Sequence, residues 1–259
     1  ASNYNADATQ DDGSCIATAA HLFSLSLSGA ALKTSADTYS ITTQQLLAAG
    51  YTIEQLVAAG FLWNYTLDAN NNATIGDGTT SYGNATTLGT SLSGAITIPS
   101  TVDGYTVTGI GYRAFYGCTN LTSINLSGTQ VTTIGQNAFT SCMSLETIDL
   151  PNSLITIGDY AFQSCMSLET IDLHDSVTTI GYWAFRQCTG LTSIDLSGTQ
   201  VETIGGYAFS KCSGLISIDL GNSVTTINSW AFAYCSNLPS IDLSGTQVRT
   251  IADYAFSCC

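Results

Sequence analysis

Nine cysteines stand in this chain, and seven keep a fixed interval: Cys118, Cys142, Cys165, Cys188, Cys212, Cys235 and Cys259, spaced 24, 23, 23, 24, 23 and 24 residues apart. Thiols ligate metals, form disulfides or sit inert in a core, and spacing helps to separate these roles. No Cys-x-x-Cys pair accompanies the seven, so the usual zinc ligand spacing is absent. Neighbours one strand spacing apart would be within disulfide reach. A regular stack, however, needs the same rotamer in every unit, and the expectation is seven buried, inert thiols acting as small hydrophobes. Cys15 and Cys258 fall off the interval. In an oxidising compartment these two are free to pair. Because a stack of units separates its ends, the expected bridge runs from Cys258 of one chain to Cys15 of the next.

Carboxylates recur with the same period. Asp149, Asp172, Asp195, Asp219 and Asp242 each precede a leucine, with Asn125 in the first unit. Carboxylates about 5 Å apart repel by about 1 kcal/mol per neighbouring pair in a water-like dielectric, which solvent and counterions absorb. The stripe reads either as a screened acidic surface or as a site for divalent cations or a polycationic ligand. A third column, Tyr160, Trp183, Tyr207, Trp230 and Tyr254, stands before each Ala-Phe pair. It reads either as a contact surface or glycan platform, or as rings half-buried against neighbouring turns. At the N-terminus, Asp7, Asp11 and Asp12 with the amides of Asn3 and Asn5 offer the hard oxygens that Ca²⁺ prefers, and Gly13 permits a tight turn. The alternative there is a solvated acidic segment. Enzyme readings fail on inventory. His21 and His174 have no nucleophile motif beside them, no glycine-rich phosphate loop follows a strand, and the acidic stripe singles out no catalytic pair. The expectation is a non-enzymatic protein with no cofactor other than Ca²⁺.

The elements that position these columns follow from the repeat. A period of 20 to 50 residues marks a solenoid. In the unit beginning at Cys165, Leu168, Ile171 and Leu173 alternate with polar residues as a half-buried strand, and Val177 to Ile180 make a second one. Gly181 then turns the chain, and Ala184 and Phe185 plug the interior. The 24-residue units carry Leu-Ser-Gly-Thr-Gln-Val (from Leu126, Leu196 and Leu243), so their extra residue falls in a turn, where it is expected to cost little. One unit is too small to bury its own apolar face; stacked units share a core of Leu, Ile, Phe and Cys columns. The threonines Thr133, Thr156, Thr179, Thr203, Thr226 and Thr250 should stack through strand propensity.

Four regions result. Residues 1–40 are an acidic N-terminal segment. Residues 41–60 duplicate a ten-residue unit in which Thr is followed by Gln, an apolar pair and Ala-Ala-Gly. That is a capping box with a glycine C-cap, predicting short helices at 42–49 and 52–59 as a cap on the first coil. Residues 61–117 are irregular lead-in strands and a degenerate first coil, and 118–259 are the repeats proper.

The Cys-x-x-Leu-x-x-Ile-x-Leu and Ile-Gly-x-x-Ala-Phe segments from Cys118 on, with the Ile-Pro-Ser-Thr-Val-x-Gly-Tyr-x-Val-Thr-x-Ile stretch at 98–110, resemble the leucine-rich repeats of the BspA-like, Treponema-type class. The resemblance covers roughly 61–259. It implies a right-handed coil of short parallel strands on a secreted or surface protein used for adhesion or protein binding, and it brings no catalytic residues. Residues 1–15 resemble the Asp-rich motif of thrombospondin type 3-like calcium-binding modules.

Composition narrows the partners. Five basic residues face 19 acidic ones, a net charge of −14, which repels nucleic-acid phosphates and anionic membranes. No apolar run is long enough to span a bilayer. A protein or glycan surface is the expected partner. A self-assembling subunit of an extracellular filament, stacking head-to-tail through its last repeat, is the alternative, because an unpaired sheet edge pairs with other chains.

Overall fold

A computed structural model of the chain describes residues 46, 49–51, 63–76 and 92–259. The chain divides into two compact units, Ala1–Trp63 and Asn64–Cys259. In the first, the N–H groups of Ala49 and Tyr51 both donate to Leu46 O (3.1 and 3.2 Å), and Gly50 sits at φ 107°, a backbone region that glycine enters without penalty. The expected helical pair is not supported: no helix stands among the described elements, and most of 42–49 and all of 52–59 lie outside the described residues. Residues 1–40, with Asp7, Asp11, Asp12 and Cys15, lie outside them too.

The second unit is a solenoid of parallel strands. It opens with a hairpin, β1 (Tyr65–Leu67) against β2 (Ala73–Ile75). Next come β3 (Ser93–Thr97), β4 (Thr101–Val102) and β5 (Tyr105–Ile110), of which β4 and β5 form a hairpin turned by Asp103 (φ 49°) and Gly104 (φ 85°). This Asp-Gly pair with both residues at positive φ is the chemistry a two-residue hairpin loop requires. Six coils follow, beginning at Cys118, Cys142, Cys165, Cys188, Cys212 and Cys235. We number them 1 to 6.

Each coil has three walls. The second wall is the continuous one. It is built from β7 (Thr133–Ile134), β9 (Thr156–Ile157), β10 (Thr179–Ile180), β12 (Thr203–Ile204), β14 (Thr226–Ile227) and β15 (Thr250–Ile251), and β1, β2 and β5 extend the sheet. Its register sets threonine on threonine (Thr133 on Thr156, Thr203 on Thr226, Thr226 on Thr250), as the sequence predicts. Inside lie the expected columns. Phe115, Phe139, Phe162, Phe185, Phe209 and Phe232 are fully buried and stacked at 5.0 to 5.3 Å with planes within 5° of parallel.

The first wall is broken, which the sequence reading did not anticipate. It holds β6 (Asn120–Asn125), β8 (Thr147–Asp149), β11 (Ser193–Asp195) and β13 (Ser217–Asp219), but these pair only as β3-β6-β8 and β11-β13. The ladder closes where a 24-residue coil precedes a 23-residue one: Leu126 N–H donates to Asp149 O and Leu196 N–H to Asp219 O, both at 2.8 Å. In the 23-residue coils the chain has one residue less in which to turn, and the leucine N–H at the strand end makes no bond to the next coil. The extra turn residue therefore does more than lengthen a loop; it accompanies each closed step of the wall. Between coils 2 and 3 a single bond remains, from Glu169 N–H to Glu146 O (3.3 Å), and between coils 3 and 4 two, from Gly190 N–H to Met166 O (2.9 Å) and from Thr192 N–H to Glu169 O (3.1 Å). Between coils 5 and 6 even that bond is lost, because its donor position is Pro239, which has no N–H.

The third wall consists of turns. Within it, Ala138, Thr140 and Cys142 N–H groups close back three residues, onto Gly135, Asn137 and Phe139 O. The alternate N–H groups of Asn137, Phe139 and Ser141 donate forward, to Asp159, Ala161 and Gln163 of the next coil. Every donor in this stretch is thus satisfied without a β-strand, as buried backbone demands.

Candidate functional site

Since the interior is occupied by packing, the chemistry available to a partner lies on the outward columns. The cysteines belong to the interior. Cys118, Cys142, Cys165, Cys188, Cys212 and Cys235 are buried, while Cys259 and Cys258 are exposed, so six of the seven expected buried thiols are buried. From Cys142 onward each Sγ donates to the carbonyl of the phenylalanine one coil back, at 3.0 to 3.2 Å. Burial pushes the Cys118, Cys188 and Cys235 thiols up to about 12, and those of Cys142, Cys165 and Cys212 well above their ordinary value. A thiol held protonated is neither a nucleophile nor a metal ligand.

Asp149, Asp172, Asp195, Asp219 and Asp242 are all exposed on the first wall, and Asp195 stands directly opposite Asp219. Three have a local task that the sequence reading missed. The Oδ1 atoms of Asp195, Asp219 and Asp242 accept the N–H two residues on, from Ser197, Gly221 and Ser244, each at 2.8 Å; Asn125 does the same with Ser127. This is the Asx-turn that aspartate and asparagine share. The Ser197 and Ser244 side chains and N–H groups hold the Asp195 and Asp242 carboxyls below their ordinary range. Asp149 is followed two residues on by Pro151, which has no N–H to give, and Asp172 lies 4.0 Å from His174 Nδ1. The signal was present in the Asp-Leu-Ser-Gly sequence. Glu146 and Glu169 add charge to the same wall, and Met143 and Met166 are 44 and 41% exposed beside them. Among the described residues no group of three or more His, Cys, Asp or Glu side chains is arranged to hold a metal ion.

Tyr160, Trp183, Tyr207, Trp230 and Tyr254 form a contiguous ladder on the third wall, with successive ring centroids 5.4, 5.2, 5.8 and 4.6 Å apart. The first four are half-buried and Tyr254 is 62% exposed. Tyr207 and Trp230 stack with planes 2° apart, and Trp230 and Tyr254 with planes 22° apart. Those ring faces are turned onto one another rather than offered as a flat platform. All five residues sit at φ between 56° and 61°, in the left-handed region. That conformation costs on the order of 1–3 kcal/mol for a bulky residue and persists where its surroundings over-determine it. Here the forward ladder does so, with Tyr160 N–H on Tyr182 O (2.9 Å) and Trp183 N–H on Gly206 O (3.0 Å). Three cations lie over rings of this wall, Arg113 over Tyr116 at 4.9 Å, Arg186 over Trp183 at 4.3 Å and Lys211 over Tyr234 at 6.0 Å. The first wall carries no lysine or arginine between Cys118 and Cys259.

Comparison with known proteins accounts for this architecture. A family model described as "BspA type Leucine rich repeat region" matches in six copies, over residues 80–200 and 184–259. A leucine-rich repeat protein of Treponema pallidum is 31% identical over 75% of this chain and 84% of its own, with a TM-score of 0.64. A leucine-rich repeat protein of Bacteroides ovatus is 30% identical (TM-score 0.61; 76% of this chain, 49% of that one). A leucine-rich cell surface protein of Faecalibacterium prausnitzii is 33% identical (TM-score 0.59; 75% and 50%). The chain thus spans about half the length of the last two. No curated protein matches it.

Proposed function

The chain belongs to the BspA-type leucine-rich repeat family, and on that premise we propose that it is a non-enzymatic, secreted or cell-surface binding protein that engages protein or glycan surfaces. The first wall is its contact face. One observation carries this reading: the wall sets Asp149, Asp172, Asp195, Asp219 and Asp242 outward, with no lysine or arginine among them. Such a face steers a basic partner and repels acidic ones. The cell-surface description of the Faecalibacterium prausnitzii neighbour supports the location. Among the described residues no helix is long and apolar enough to cross a membrane.

The test is adhesion of protein-coated beads to a surface carrying a basic protein such as lysozyme, against two charge-matched variants. One changes Asp149, Asp172, Asp195 and Asp219 to Asn, which keeps the Asx-turn acceptor. The other neutralises Asp159, Asp175, Glu202 and Asp253 as their amides. Loss of adhesion in the first variant alone is expected; equal loss in both removes the wall as the binding face.

A further inference from the structure

The step between coils 5 and 6 opens a cleft. Elsewhere the residue two before the first-wall isoleucine donates its N–H backwards, as Ile216 does to Thr192 O at 2.9 Å and Glu146 to Thr122 O at 2.8 Å. Pro239 occupies that position in coil 6 and has no N–H, and residues 240–243 form no strand beside β13. Ile218 is half-buried at this step, whereas its counterparts Ile124, Ile148, Ile171 and Ile194 are 1 to 8% exposed. What opens is a solvent-facing cleft of about 470 Å³ lined by Ile218, Asp219, Asn222, Asp242, Ser244 and Thr246 among others. Its volume falls in the range of small-ligand sites.

We propose that this cleft binds a single hexopyranose unit of a neutral glycan. The inference deepens the binding reading above and rests on it, naming a ligand class and a second contact point. The lining supports this class by what it offers and what it lacks. Asp219 and Asp242 use Oδ1 for their Asx-turns, to Gly221 and Ser244, and each retains Oδ2 as a strong acceptor. Sugar hydroxyls are the donors that such acceptors take. Asn222 is exposed and brings both a donor and an acceptor. Ile218 supplies the apolar patch that the C–H face of a pyranose needs. An anionic ligand would meet two carboxylates. A lipid would leave the hydroxyls and carboxylates unpaired. A divalent cation would want more charged oxygens, and among the described residues no group of three or more such side chains is arranged to hold one. The cleft at the step between coils 1 and 2, lined by Ser127, Gln130 and Asn152 among others, has no carboxylate and no opened core isoleucine.

The experiment is saturation-transfer difference NMR on the full 259-residue protein with the methyl α-glycosides of glucose, mannose, galactose and N-acetylglucosamine, each at millimolar concentration. At least one glycoside is expected to receive saturation on its C–H face. Asn222→Ala, a surface change that leaves the fold alone, should reduce the signal at least fivefold. Pro239→Thr, which restores the missing donor and draws coil 6 towards Ile218, should weaken it further. Transfer that survives both variants overturns the assignment, as does silence from all four glycosides. A shift in thermal stability with calcium chloride alone, the glycosides remaining silent, overturns it in favour of a cation. A protein that still adheres through its first wall but binds no glycoside loses this inference and keeps the proposed function.

Discussion

Replacing Pro239 by threonine tests the physical account of the broken wall. Thr192 occupies the equivalent position in coil 4, and there its N–H and Oγ1 both reach Glu169 O, at 3.1 and 3.3 Å. A threonine at 239 has the same two donors available for Ile216 O. One backbone hydrogen bond contributes a net 0.5–1.5 kcal/mol as an order of magnitude. Drawing coil 6 in also buries more of Ile218 and Ile241, both half-buried now. At about 25 cal/mol per Å², a further ~20–40 Å² of apolar surface adds roughly 0.5–1 kcal/mol. Against this, removing a proline frees the unfolded chain and costs about 0.4–1 kcal/mol. The balance is a gain of about 1 kcal/mol, felt mostly in the last two coils, because solenoid units couple to their neighbours. Native-state hydrogen exchange reads it locally: the amide at 239 should be protected, and the amides around β13 should slow about fivefold. A fully exposed amide at 239 in an otherwise folded variant would refute the argument that the proline opens the wall.

Further expectations follow from the same columns. Phe185→Ala removes a fully buried ring stacked on both sides at 5.2 Å and should cost about 3–5 kcal/mol by urea unfolding. Asp195→Ala loses the Asx-turn with Ser197 and should lower stability by roughly 0.5–1 kcal/mol, whereas Asp149→Ala, with Pro151 beyond it, should be within measurement error. The column thiols make stability fall at alkaline pH. Their folded pKa is raised to about 12 for Cys118, Cys188 and Cys235 from an ordinary 9.0. The unfolded state therefore loses protons first, and stability present below pH 9 is lost progressively as pH rises towards 12. Equilibrium unfolding across that window checks the sign, and a thiol reagent at neutral pH should leave the six buried column cysteines unmodified until denaturant is added.

The interior was legible in the sequence because a core column must repeat its residue type at every turn. Phenylalanine, cysteine and isoleucine did so without exception, and the structure buries six of the seven column cysteines and every phenylalanine from Phe115 to Phe232, leaving Ile218 and Ile241 half-buried and Ile251 and Cys259 exposed. The stacking of threonine on threonine along the second wall was readable for the same reason. Two things were hidden. The hydrogen-bonded turn wall depends on backbone conformation, and its left-handed positions betray themselves only at Gly117 and Asn137; elsewhere the same φ is carried by Arg, Tyr, Trp, Ser, Gln, Lys and Cys, which give no sign of it. The breaks in the first wall depend on one missing N–H and on turn length, neither of which disturbs the repeat pattern. The aspartates were visible as a stripe, but their Asx-turn role needed the geometry of the N–H two residues on.

The most direct test of the account is the comparison of the two charge-matched variants in adhesion to a lysozyme-coated surface, with circular dichroism confirming that both remain folded. The account predicts that neutralising Asp149, Asp172, Asp195 and Asp219 abolishes adhesion while neutralising Asp159, Asp175, Glu202 and Asp253 leaves most of it. Equal adhesion by both variants would contradict it, showing that the first wall is no more than the solvated side of a packed coil.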